Sequence, residues 1–478
     1  MSDPRVAGLG AYAPRLRIDA EAVAEAWGRF EAAGVDRTAV PDADEDALTM
    51  AAEAARRALE AADREGSEVV HLAFATTTPP MAEEDLTPRL ASVLGAPAAV
   101  TTRTMTGSTR AGAQALDGAL AAGPWGDGVG LVVASDCPRG APDSETEHAA
   151  GAGAAALVLA GEGPGRVTDR AAAVAPYPGT RFRAAGAEAT DTLGVTGYER
   201  EAFTTALSEA VAGLESPPDV DAAAVQSPDG KLPYRAADAV GVDPGTIAAA
   251  DTVSDLGDTG AASVFLGAAS ALEDGAERVL LAAYGSGAGA NAALVSAGGL
   301  PVRAALEGDV SLTYPAYLRR RGEITPGEPE GGGAYVSVPA WQRTVPQRHR
   351  LVAGRCPDCG GLHFPPAGAC PDCGARPRAY EPVALPGTGT VEAVTTIAQG
   401  GAPPEFVEQQ ARSGPFVSAV VGFDGPDGDG VSAPAQVLTA GADDPEVGTR
   451  VAATVRRIYD QEDVIRYGFK VRPVEAVR

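Results

Sequence analysis

Through about residue 305 the chain alternates two patterns of apolar and polar positions. Continuous apolar runs ending in small or polar residues predict buried strands at 69–79, 128–137, 152–161, 221–230 and 278–287. Helical patterns fall between them, at 46–62, 110–122, 199–214 and 261–273. Strands alternating with helices predict an α/β layered fold. Three features then recur together: the strand near Val70 returns near Ala223, the turn into a helix at TMTGSTRAGAQAL returns as VSDLGDTGAASVF, and LVVASDC returns as LLAAYGS. The offset stays close to about 150 residues each time, which predicts two duplicated α/β halves, residues 1–165 and 166–322.

Beyond residue 322 the pattern changes. Residues 323–336 are rich in Pro and Gly without apolar periodicity and predict a linker. A short helix follows at PAWQRTVPQRHR, opening a segment that runs from 337 to 380. From 381 to 478 come five strand-like stretches with turn signals between them, GTGTVEAVTTI, PFVSAVVGFDG, SAPAQVLTA, TRVAATVRRIY and IRYGFKVRPV. Five short strands of this kind predict a small OB-type β-barrel.

Composition narrows the partners. The 478 residues hold 64 Asp and Glu against 38 Lys and Arg, a net charge of −26. Such a surface repels a phosphate backbone, so no nucleic-acid partner is expected, even for the barrel. Only Lys231 and Lys470 are lysines, and with abundant Ala the acidic balance predicts adaptation to high salt, which screens self-repulsion. No apolar run approaches the roughly 18 residues of a membrane span, and the start lacks a signal peptide's basic and apolar regions, so a cytoplasmic location without a membrane partner is expected.

Four of the five cysteines form a motif. Cys356 and Cys359, then Cys370 and Cys373, make two CPxCG knuckles separated by ten residues. Two such pairs let four thiolates converge on one soft cation, and they predict one structural zinc per chain with no open position for metal chemistry. His363 is expected to be a packing or surface residue rather than a fifth ligand.

The stretch SVPAWQRTVPQRHRL, the ribbon and the barrel together resemble the acyl-CoA-associated zinc-ribbon/OB-fold family, whose members accompany thiolase-like proteins. The duplicated half of the chain resembles the thiolase superfamily and, within it, archaeal 3-hydroxy-3-methylglutaryl-CoA synthase. The matching stretches are VAGLGAYAPRLRI, ASDCPRGAPDSETEHAAGAGAAALVLA, QSPDGKLPYRAADAVGV, LGDTGAASVFLGAASALEDGAERVLLAAYGSGAGA and TYPAYLRRRGEI, in the family's order. The resemblance implies an acyltransferase fold, a homodimer, a CoA ester as ligand, a place in lipid or isoprenoid metabolism, and a thiolase or condensing enzyme as partner.

The family's catalytic positions are not kept. Thr109 stands at the nucleophilic cysteine of the Ala-Cys-Lys/Tyr-Ala-Gly motif, Gln226 at the histidine, and Thr77 at the glutamate that serves as general acid/base. Asp258 replaces the asparagine of the Gly-Asn-Thr turn. A threonine hydroxyl needs a strong adjacent base, and glutamine cannot shuttle protons near neutral pH. Three readings follow: a non-catalytic scaffold or acyl-CoA holder for a thiolase partner, a condensing acyltransferase with relocated groups, or a purely structural subunit. For relocated chemistry the candidates are Cys137 as a displaced nucleophile, or Ser108 and Thr109 served by Glu147 or His148. Ser286 and Gly287 in the glycine turn, together with Arg319, are candidates for contacting CoA.

Overall fold

A computed structural model of the chain describes residues 4–324, 337–398, 407–439, 445–461 and 463–474. The expected linker falls, from residue 325 on, outside the described residues. The chain divides into two compact units, Met1–Pro41 with Asp46–Tyr317, and Asp42–Glu45 with Leu318–Arg478.

In the first unit the strands are β1 (Arg5–Tyr12), β2 (Leu16–Asp19), β3 (Arg37–Val40), β4 (Val69–Ala75), β5 (Thr101–Met105), β6 (Val129–Asp136) and β7 (Gly153–Ala160). They continue with β8 (Arg166–Ala173), β9 (Ala222–Val225), β10 (Arg278–Tyr284), β11 (Ala290–Ser296), β12 (Val302–Ala305) and β13 (Val310–Ser311). One sheet runs β12-β1-β7-β6-β4-β5 and another β8-β11-β10-β9. The second repeats the middle of the first: β1 and β8 each pair antiparallel with β7 and β11, which pair antiparallel with β6 and β10, which pair parallel with β4 and β9. This is the duplication expected from the offsets. Strands β6 and β7 are buried at every position, so they carry near-continuous apolar runs rather than alternation, broken only by Ser135 and Asp136 at the end of β6.

Helices layer these sheets. Ala47–Ala61 packs on β1, β7 and β6, while Thr196–Ala212 packs on β8, β10 and β11. Asp46 caps the first of these, its carboxylate accepting from the Leu48 and Thr49 amides. The helix Ala111–Ala122 packs on β4, β5 and β6, and Ser263–Glu273 touches strands of both sheets. These helices meet through small residues: a Cβ on Gly112 would stand 2.5 Å from the Ala261 carbonyl oxygen. The alanine-rich composition therefore fills a close-packed interior, with Phe265 fully buried among alanines.

In the second unit the expected single helix is two, Val338–Arg343 and Val345–Arg350. Pro346 has no N–H to continue the first helix, and it sits in the opening turn of the second, where none is needed. Three strands follow, β14 (Val352–Arg355), β15 (Leu362–His363) and β16 (Glu381–Ala384), paired β15-β14-β16. Then β17 (Thr388–Ile397), β18 (Phe416–Asp424), β19 (Gly430–Val437), β20 (Arg450–Gln461) and β21 (Val464–Pro473) close into a barrel in the order β17-β18-β19-β21-β20. The five expected strands are these five. Among the described residues no helix is long and apolar enough to cross a membrane.

Candidate functional site

Strand ends and helix starts bring Thr109, Gln226 and Asp258 to one cavity of about 100 Å³ in the first unit. Thr109 lies just before the helix Ala111–Ala122, Gln226 just after β9, and Asp258 just before the turn into Ser263–Glu273. The same wall includes Glu145, Thr180, Arg181, Glu199, Asp229 and Tyr284.

Each family-equivalent side chain is already engaged. The Thr109 hydroxyl donates to the Tyr284 carbonyl at 2.7 Å, and its amide meets Ser286 Oγ at 3.4 Å. Gln226 Nε2 donates to the Gly260 carbonyl at 3.0 Å, and its Oε1 is buried without a partner among the described residues. Asp258 pairs with Arg181 through Nη1 and accepts from the Gly260 amide at 2.9 Å. The negative charge expected at the asparagine position is thus balanced by an arginine, one the sequence reading overlooked.

Thr77 is outside the cavity lining. It belongs to a cradle around Asp136, a buried carboxylate at the end of β6. Asp136 accepts from the hydroxyls of Thr76, Thr77 and Thr78 at 2.9 Å each, from the Thr77 and Thr78 amides at 2.6 and 3.0 Å, and from the Ala261 amide at 2.7 Å. Six donors neutralise a charge that burial would otherwise penalise. The run of three threonines where the family has its acid is therefore a binding partner for an internal carboxylate. Sequence reading missed Asp136; a charged residue ending a wholly apolar strand was the available signal.

Of the alternative groups, Cys137, Glu147 and His148 are likewise committed, whereas Ser108 Oγ is buried without a hydrogen-bond partner among the described residues and does not line the cavity. Burial pushes the Cys137 thiol up to about 12, and its Sγ is 3.7 Å from the Thr78 hydroxyl, so a thiolate is disfavoured at neutral pH. The buried Glu147 carboxylate accepts from the Tyr314 hydroxyl at 3.1 Å and from the Asp143 amide at 2.6 Å. His148 is buried against Phe30, with ring centroids 5.2 Å apart, and its Nδ1 accepts from the Glu31 amide at 3.0 Å. Burial lowers the pKa of His148. Neither Glu147 nor His148 lines the cavity, and neither do Ser286 and Gly287. Arg110 is turned inward toward the Ala173 carbonyl and Asn291, whereas Arg319, in the second unit, is exposed.

The second site lies in the ribbon. The Cys356, Cys359, Cys370 and Cys373 sulfurs all lie within 4.8 Å of one another. The Cys356–Cys373 and Cys359–Cys370 separations are 3.9 and 3.6 Å. A tetrahedral site with Zn–S bonds of about 2.3 Å has S–S edges of about 3.8 Å, so the four thiols fit zinc. The knuckles are built alike: the Gly360 amide donates to Cys356 O and the Gly374 amide to Cys370 O, both at 2.8 Å. Each of these glycines has a positive φ, 77° and 73°, which the tight turn requires. His363 is buried with Nε2 3.2 Å from Cys370 Sγ, placed to support a thiolate from outside the four ligands.

Comparison with known proteins places these features. The first unit has the fold of thiolase-like condensing enzymes. A hydroxymethylglutaryl-CoA synthase complexed with CoA superposes with a TM-score of 0.60 at 18% identity, over 70% of this chain and 94% of that one. The 3-oxoacyl-[acyl-carrier-protein] synthase III of Aquifex aeolicus gives 0.53 at 19%, over 61% and 99%. In sequence the chain is 30% identical to the hydroxymethylglutaryl-CoA synthase of Pyrobaculum neutrophilum over 338 residues, covering 66% of this chain and 96% of that protein. It is 32% identical to that of Aeropyrum pernix over 355 residues, covering 68% and 93%. The chain belongs to the hydroxymethylglutaryl-CoA synthase family. Residues 343–378 match the ChsH2 rubredoxin-like zinc ribbon domain, so a family-typical thiolase-like unit is fused here to a zinc ribbon and barrel.

Proposed function

We propose that this protein is a non-catalytic member of its family that holds an acyl-CoA for a thiolase or condensing-enzyme partner, as a homodimer through its thiolase-like unit and with one structural zinc per chain. The observation that carries this reading is the state of Thr109. Its proton is directed at a backbone carbonyl, and the cavity-lining residue at the family's histidine position is an amide. Nucleophilic catalysis needs an activated nucleophile, and the Thr109 hydroxyl is bonded to a backbone carbonyl rather than to any of the carboxylates of this wall. The fold is that of the family and Thr109, Gln226 and Asp258 line a cavity, which supports binding without turnover.

Incubation with radiolabelled acetyl-CoA followed by denaturation tests the reading, alongside calorimetry with CoA and acetyl-CoA. Binding without covalent label is expected; label on Thr109, Ser108 or Cys137 overturns it. The double variant Thr109→Cys, Gln226→His should acquire label about 10²-fold faster than Thr109→Cys alone, because it regains nucleophile and base together. Copurification from cells in high salt tests the partner, and recovery of no thiolase-like protein counts against the scaffold role.

A further inference from the structure

The wall of the cavity is unbalanced in charge. It holds four carboxylates, Glu145, Glu199, Asp229 and Asp258, against one cation, Arg181, which is spent on Asp258. Glu199 and Asp229 are oriented by backbone amides, Gly194 to Glu199 at 3.1 Å and Lys231 and Leu232 to Asp229 at 2.6 and 2.7 Å. Mutual repulsion alone does not make a site. The second observation is Gln226, which is 1% exposed, lines the cavity, and leaves Oε1 without a donor among the described residues. A buried acceptor left unmade is costly unless something fills it. Arg181 presents the complementary vacancy: Nη2 is buried and has no acceptor among the described residues.

An occupant that satisfies this wall carries a donor, carries an acceptor, and adds no negative charge. Resting on the acyl-CoA reading above, we propose that the cavity selects short acyl groups ending in an ammonium over those ending in a carboxylate. In a β-amino acyl thioester the ammonium supplies the donor for Gln226 Oε1 within the carboxylate field, and the thioester carbonyl is the acceptor that Arg181 Nη2 lacks. A carboxylate end would meet three unneutralised carboxylates and an acceptor it cannot satisfy. The cavity's size restricts the group to a few heavy atoms. Burial, together with Glu199, Asp229 and Glu31, raises the pKa of Glu145, which agrees with a field that favours positive charge.

Calorimetry with three CoA esters of nearly equal size tests this: β-alanyl-CoA, butyryl-CoA and malonyl-CoA, ending in an ammonium, a methyl and a carboxylate. Affinity should fall in that order, by about tenfold at the first step, the value of one charge-assisted hydrogen bond. Glu199→Gln and, separately, the more exposed Glu145→Gln should narrow the gap between β-alanyl-CoA and butyryl-CoA. Equal binding of the three, or tightest binding of malonyl-CoA, overturns the selectivity while leaving acyl-CoA holding intact. Failure of all three esters and of free CoA to bind overturns the holding function and the selectivity together.

Discussion

The ribbon and the cavity are both places where side chains from separate turns converge, yet only the ribbon keeps the residue types its family resemblance implies. Its four thiols stand at separations that suit a zinc tetrahedron. In the cavity the positions of nucleophile and base are still brought together, but each is bonded inward, to Tyr284 O and Gly260 O. On the non-catalytic reading proposed above, a scaffold outlasts the chemistry it once positioned, because packing of the strand ends depends on backbone and small side chains rather than on the reacting groups. A metal site gives no such latitude, since its ligands are themselves what closes the turns.

Removing the metal should give the largest contrast. Chelation, or Cys370→Ser, is expected to unfold the ribbon, where binding and folding share about 10 kcal/mol or more. Limited proteolysis with metal analysis checks this: new cleavage should appear within 343–384 while 46–317 stays resistant. Cleavage in both regions, or zinc well below one per chain in fresh protein, would break the comparison.

Asp136 tests how far the threonine cradle is structural. Asp136→Ala leaves six donors facing a cavity and should cost about 3 kcal/mol, read from denaturant unfolding. A change below about 0.5 kcal/mol would mean that the cradle carries no stability.

His148 gives the smallest expected effect. Burial penalises the charged ring, so folding favours the neutral form, and the folded pKa lies below the unfolded 6.5. The unfolded state then binds the proton more readily, so this contribution is complete above pH 6.5 and declines as pH falls below it. His148→Gln should flatten the fall in Tm between pH 7 and 5; an unchanged slope would assign that fall to other groups.

Much of this architecture was legible before any coordinates. The four principal helices, the apolar strands, the duplication and the five barrel strands follow from periodicity and turn residues, which act over a few neighbours along the chain. The four cysteines were equally plain, because a metal imposes its spacing on sequence directly. The break at Pro346 was visible in principle and overlooked. Asp136 left only its place at the end of an apolar strand as a signal, and Arg181 and the convergence of Glu145, Glu199 and Asp229 left none, since the segments that meet there lie tens of residues or more apart. Local sequence carries no mark of such pairing. Sequence by itself determined which residue types stand at positions 77, 109 and 226. Only the tertiary structure decided what those side chains bond, and that the cavity bordered by Thr109 and Gln226 is acidic, because burial and charge balance are set by segments that meet only in the fold.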